Sequence, residues 1–121
     1  MSHFSRRLTR RDGKAVQVLV SYPVQSKGPS GDWECRYQIL GMGNDKAKVS
    51  VGTDSIQAIY LALQYIATTL YSSEEYERGE LWWEGGVTPA DLGLPVVDTV
   101  REDVERKKVQ VSDIILRAKR G

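Results

Sequence analysis

The run DSIQAIYLALQYIATTL, residues 54–70, follows a strand-like segment and constrains the fold more than any other stretch of the chain. Ile56, Ile59, Tyr60, Leu63, Ile66, Ala67 and Leu70 recur at i, i+3, i+4 and i+7 spacing, which lines them along one face of an amphipathic helix. Asp54, with Gln57 three residues on, is a capping-box start in which each side chain satisfies an orphan backbone N–H of the first turn. Such a helix needs an apolar sheet face to lie on, because packing rather than propensity stabilises it. No His, Cys or carboxylate sits on the stripe and no phosphate loop precedes it. The helix sets the architecture and brings no chemistry.

Two hairpins supply the sheet. Over residues 4–22, Val16, Val18, Val20 and Tyr22 share one strand face. A three-residue loop, Arg11-Asp12-Gly13, pairs Leu8 with Val16 and Phe4 with Val20, apolar against apolar, with Gly13 free to take the left-handed bulge position. A two-residue Asp12-Gly13 turn would instead set polar Thr9 and Arg7 against valines, so the longer loop is expected. The arginines of this first strand then read as charge along an exposed edge, which discourages edge-to-edge aggregation. Residues 23–32 form a loop rich in Pro, Gly and Ser, and Pro23 ends the second strand because it cannot donate to a ladder. In the second hairpin Trp33, Cys35, Tyr37 and Ile39 alternate on one strand and Ala47, Val49 and Val51 on the next. A five-residue loop over 41–45 would face Ile39 with Ala47, Tyr37 with Val49 and Cys35 with Val51.

Beyond Leu70 the helix either continues or restarts at Ser72 or Ser73 and stops at Gly79. Residues 80–84, ELWWE, read as a short strand closed by Gly85-Gly86, and Thr88-Pro89 as the start of a helix that Gly93 and Pro95 end within a turn. Val97, Val100, Val104, Val111 and Ile114 are roughly heptad-spaced, interrupted by Lys107; a helix is expected over 98–108, whereas 109–116 reads equally as a strand. The fold class that follows is α+β: an antiparallel sheet of four or five strands with one long helix on its apolar face. Residues 1–95 form the domain and 96–121 a C-terminal arm, helical in part.

With 121 residues, 40% hydrophobic and 27% charged, the chain can build a core without metal or disulfide support. Cys35 is the only cysteine, which excludes an intrachain disulfide and any multi-cysteine metal site, and its strand parity points it inward as a structural thiol. His3, the only histidine, sits at a terminus expected to fray, so a held imidazole for a triad or metal is not expected. The N-terminus has no apolar signal region and no apolar run approaches a membrane span, so a cytoplasmic protein without membrane contact is expected. Gly41-Met42-Gly43 joins two antiparallel strands, not a strand and a helix N-terminus, and reads as a hairpin loop. Glu74, Glu75, Glu77, Glu80 and Glu84 lack the spacing of a cation loop and read as a solvated face. No catalytic residue, metal ligand or cofactor site is expected.

At DWECRYQILGMG (32–43), GTDSIQAIYLALQYIATTL (52–70) and DLGLP (91–95) the chain resembles a bacterial family of small uncharacterised α+β domains, a domain of unknown function. The pattern is a DW-x-C-x-Y-x-I-x-G strand, a G-x-D-S-x-Q-A helix start and a closing D-L-G-[FL]-P. The motifs are specific as a set; singly they are a strand, a cap and a turn. The resemblance covers residues 15–95 and implies no activity, cofactor or catalytic residue.

The functional expectation is therefore a non-catalytic interaction module that binds a partner protein or itself through Trp82 and the arm residues Val100, Val104, Val111 and Ile114, whose apolar spacing has no evident place in the core. Strand alternation sends Trp82 and Trp83 to opposite faces, and the alternative for an outward Trp82 is that the C-terminal segment covers it. The alternative function is nucleic-acid binding by Arg6, Arg7, Arg10 and Arg11. A small enzyme is third, and would need a polar pocket with perturbed carboxylates.

Overall fold

A computed structural model describes residues 3–120. Its strands are β1 (His3–Arg10), β2 (Ala15–Ser21), β3 (Val24–Gln25), β4 (Trp33–Leu40), β5 (Lys48–Gly52) and β6 (Leu81–Trp82). Its helices are α1 (Ser55–Tyr71), α2 (Glu74–Glu77) and α3 (Arg101–Arg120), the last preceded by a 3-10 turn at Asp98–Val100. The fold is α+β, with every strand pair antiparallel in one open sheet of six strands. β4 is central: β2 and β3 pair along one edge and β5 along the other, while β1 joins β2 and β6 joins β1.

The first hairpin has the expected register, Leu8 opposite Val16 and Phe4 opposite Val20. Gly13 closes the loop at φ +83°, its N–H donating to the Arg10 carbonyl at 3.0 Å. His3 is not frayed but stands in β1 opposite Ser21. β2 stops before Tyr22-Pro23, yet the chain resumes pairing as β3 with its register against β4 shifted by one residue. That shift is a bulge around the proline, where the Arg36 N–H donates to Ser21 Oγ at 2.9 Å in place of a ladder carbonyl.

The second hairpin corrects the sequence expectation. Cys35 faces Ser50, Glu34 faces Val51 and Arg36 faces Val49, a slip of one residue that turns the whole of β5 over. Val49 and Val51 point to solvent, 44% and 50% exposed, and Ser50 and Gly52 point inward. The cause is the closeness of α1. A Cβ on Gly52 would lie 2.5 Å from the Ala58 nitrogen, and Ser50 Oγ donates to the Ala58 carbonyl at 2.7 Å. Valines at those positions would hold the helix off the sheet, so small residues win the inward face. The loop closes with Asp45 Oδ1 accepting the Gly41 N–H at 3.0 Å.

The same closeness rotates α1. Ala58 and Ala62 are fully buried against the sheet, with Ile66, Ala67, Leu70 and Tyr71 buried further along, while Ile56 and Tyr60 of the expected stripe are exposed. After α1 the chain restarts, as one of the two readings had it: Ser73 caps α2 and Gly79, at φ +71°, ends that turn. Thr88-Pro89 starts no helix; the Asp91 N–H donates to the Thr88 carbonyl in a single turn.

α3 settles residues 109–116 as helix and brings the arm into the core. Val104, Val111 and Ile115 are buried in one cluster with Leu8, Val16 and Leu70, so the expectation that the arm has no place there is corrected. Ile115 takes the inward position instead of Ile114, because 104, 111 and 115 keep one face of a straight helix and 114 leaves it. Gly79 lets α3 come close: a Cβ there would lie 2.6 Å from Ile114 Cγ2, at the border of this face, and 3.4 Å from Ile115 Cγ1. Among the described residues no helix is long and apolar enough to cross a membrane.

Candidate functional site: the outer face of the long helix

No charged residue occurs between Asp54 and Glu74, so α1 has none anywhere along it. A helix on a protein surface ordinarily carries charge on the side away from the core. Here that side carries Ile56, Tyr60, Gln64 and Tyr65, with Ile56 77% exposed and each tyrosine 47%. At 100° per residue Ile56, Tyr60 and Gln64 follow one ridge, with Tyr65 farther round. Thr68 and Thr69 spend their hydroxyls on the Gln64 and Tyr65 carbonyls at 3.0 Å, within the helix itself. The surface is apolar, aromatic and uncharged.

It is also held firmly. Asp54 Oδ1 accepts the Gln57 N–H at 2.8 Å and Gln57 Oε1 accepts the Thr53 N–H at 2.6 Å, closing the capping box one residue upstream of its expected position. At the other end Lys107 Nζ donates to the Tyr71 carbonyl at 3.2 Å and to Glu77 at 2.8 Å, placing a cation on the negative end of the helix dipole. Tyr65 stacks on Tyr37 with ring centroids 6.2 Å apart. Beside the last turns a groove of about 390 Å³ runs between α1 and α3, lined by Ala67, Thr68, Tyr71, Val96, Val100 and Val104.

The residues expected to bind a partner are mostly spent internally. Val104 and Val111 are buried and Val100 is half-buried on the groove; Ile114 is partly exposed. Trp82 is covered by α3, sharing a cleft with Ile115 and Ala118 and lying 5.3 Å from the Lys119 ammonium, while its Nε1–H donates to Glu84 at 2.8 Å.

Three of the four arginines are likewise engaged, and β1 is flanked by β2 and by β6 at its end, so their expected role as bare edge charge is corrected. Arg6 donates to the Leu92 and Gly93 carbonyls at 2.9 and 2.8 Å with its guanidinium 3.8 Å over the Trp83 ring. Arg10 donates to the Gly41 carbonyl and Arg11 to the Gly79 carbonyl, each at 2.8 Å. Arg7 alone is exposed without such a contact.

Arg6 belongs to a clamp on the Asp91-Leu92-Gly93 segment. Tyr71 Oη accepts the Leu92 N–H at 2.9 Å, Tyr76 Oη donates to the Ala90 carbonyl at 2.8 Å, and the two rings meet edge to face at 5.0 Å. Gly93 is required there: it sits at φ +66° and a Cβ would lie 2.3 Å from the Trp83 ring. Burial pushes both phenols above their ordinary range. The Cys35 thiol is also pushed up by burial and donates to the Ser21 carbonyl at 3.2 Å, as a structural thiol would. Among the described residues no His, Cys, Asp and Glu cluster could hold a metal ion.

Sequence reasoning passed over the outer face of α1 because it looked for chemistry on the buried stripe. The signal was present in the absence of Asp, Glu, Lys and Arg over residues 55–73.

Residues 4–96 match a family described as a domain of unknown function, DUF6968, and the chain belongs to it. No curated protein and no solved structure matches. The matched segment ends just after the clamped Asp91-Leu92-Gly93 turn, and all of α3 lies beyond it.

Proposed function

We propose that this protein is a non-catalytic interaction module whose docking surface is the outer face of α1, and that its occupant is an uncharged, apolar face of another protein. The observation that carries the reading is a rigid surface helix without one charge that exposes Ile56, Tyr60 and Tyr65. Interface cores are depleted in charge and enriched in tyrosine, and a preordered helix loses little entropy on docking. Two of the arm residues that first suggested binding, Val104 and Val111, are buried in the core instead. The setting proposed with it is a bacterial cytoplasm, supported by the family resemblance and by a lone, buried thiol.

Capture from a lysate of the source organism tests the reading, comparing wild type with Ile56→Lys/Tyr60→Lys. The expected result is one stoichiometric protein held at low and high salt by the wild type and lost by the variant, whose circular dichroism is unchanged. A partner retained by the variant, or no captured protein at all, would overturn it. Nucleic acid captured only at low salt, and lost with Arg7→Ala, would favour the basic strand instead.

A further inference from the structure

β5 leaves one edge of the sheet bare. Among the described residues it pairs with β4 and with no other strand. The direction of its backbone groups follows from one hydrogen bond. The Arg36 N–H donates to Ser21 Oγ on the β2 side, so the Arg36 N–H and C=O point away from β5. Arg36 lies opposite Val49, and in such a pair both residues turn their backbone groups away from each other. Val49 therefore presents its N–H and C=O to the free edge, and Val51, two residues on, does the same. Both side chains are exposed on the sheet face away from α1. An edge of this kind is a template for a further strand.

We propose that β5 pairs antiparallel with β5 of a second copy of the chain, about a two-fold axis at Ser50. In that register Val49 of each copy faces Val51 of the other, Ser50 faces Ser50, and the whole of β5 is used. The valine pairs then exchange the backbone bonds that the edge leaves open. On the open face each row across the joined sheet reads Arg36, Val49, Val51, Glu34, the last two from the other copy, so opposite charges flank an apolar centre. On the other face Lys46 comes opposite Asp54, and neither has an ion-pair partner among the described residues. Sliding by one residue puts the ladder out of phase. Sliding by two restores the phase but shortens the overlap and aligns Arg36 with Arg36 or Glu34 with Glu34.

The helices fit the same axis. α1 lies over the boundary between β4 and β5, since Ser50 of β5 donates to the Ala58 carbonyl and Tyr65 stacks on Tyr37 of β4. The axis sets both α1 helices on one face of the joined sheet, antiparallel and two strand spacings apart, about 10 Å, which is a helix-packing distance. Around α1 from Ala62, Ile66 and Ile59 turn about 40–60° into the core, and Tyr65 and Leu61 turn about 60–100° the other way, toward the β5 edge. That flank carries no charge, as helix against helix across the axis requires.

The inference names one partner for the interaction reading and rests on it to that extent, but its surface shares only Tyr65 with the ridge of Ile56 and Tyr60. Sedimentation equilibrium of the full chain, up to about 0.5 mM to cover weak association, tests it. The expected result is a monomer–dimer equilibrium that Val49→Pro abolishes with circular dichroism unchanged, because the proline takes an N–H from the free edge and none from the ladder with β4. Cross-linking in oxidised glutathione reads the register independently, and decides alone if the proline variant does not fold. Residues directly opposite lie within disulfide reach and diagonal ones beyond it. A mixture of Val49→Cys and Val51→Cys proteins should therefore give a disulfide-linked dimer, and neither protein alone should; Cys35 is buried and takes no part. A monomer at every concentration, a folded Val49→Pro variant that still dimerises, a mixture that does not cross-link, or cross-linking by either cysteine variant alone overturns the proposal. A monomer leaves capture through Ile56 and Tyr60 standing, and loss of that capture leaves the dimer standing.

Discussion

Replacing Gly52 by alanine attacks the contact that sets the register of β5 and the rotation of α1. The added Cβ would meet the helix at 2.5 Å from the Ala58 nitrogen, 2.9 Å from the Gln57 carbonyl carbon and 3.0 Å from the Ala58 Cα. All three are backbone atoms, so no side chain can swing aside. To reach ordinary contact, near 3.4 Å, α1 must withdraw by about 1 Å from β5. Overpacking of this kind costs about 1–3 kcal/mol. Stretching the 2.7 Å bond from Ser50 Oγ to the Ala58 carbonyl adds about 1 kcal/mol. The expected destabilisation is about 3 kcal/mol, read as a lower urea midpoint at unchanged m-value and a Tm reduced by about 10 °C. Val51→Asp, one residue away on the solvent side, should stay within about 0.5 kcal/mol of wild type. The register Cys35 opposite Val51 predicts the reverse order, with aspartate in the core and alanine harmless. A Gly52→Ala variant as stable as wild type beside a collapsed Val51→Asp would refute the account.

The clamp predicts unequal arginines. Arg6→Ala removes two charge-assisted hydrogen bonds and the contact with Trp83 and should cost about 2 kcal/mol, Arg6→Lys should recover little because an ammonium lacks the planar group that lies over the Trp83 ring, and Arg7→Ala should be neutral; equal effects at the two sites in urea titrations would contradict this. Alkaline titration should reveal the buried phenols. Burial raises Tyr71 and Tyr76 in the folded state, whereas both ionise near pH 10 once unfolded. The unfolded chain then binds fewer protons, so their contribution is complete below about pH 10 and falls above it, by at most about 1.4 kcal/mol per pH unit for each tyrosine. Tyr76→Phe should shed its part of that slope in urea midpoints measured from pH 9 upward, and an unchanged slope would exclude it as a contributor.

The first hairpin, the capping box, the stop at Gly79 and the position of α1 were all determined by residues close together in the chain. Leu8 meets Val16 because three turn residues, the last of them a glycine, set the offset, and no distant element competes. The absence of charge along α1 is equally local and was legible as composition. What only the tertiary structure decided is every choice between two faces. Alternation over residues 47–52 is the same whether valines or Ser50 and Gly52 point inward, and the approach of a helix from another part of the chain chose the small residues. The stripe on α1 turned with it, toward Ala58 and Ala62. The N-terminal arginines Arg6, Arg10 and Arg11 could be assigned only when Gly41, Gly79 and Leu92-Gly93 brought their carbonyls within reach. α3 followed the same rule, since either Ile114 or Ile115 could face inward until contact with the domain fixed the helix rotation. Periodicity states that a face exists; distance between backbones remote in sequence states which residues are small enough to occupy it.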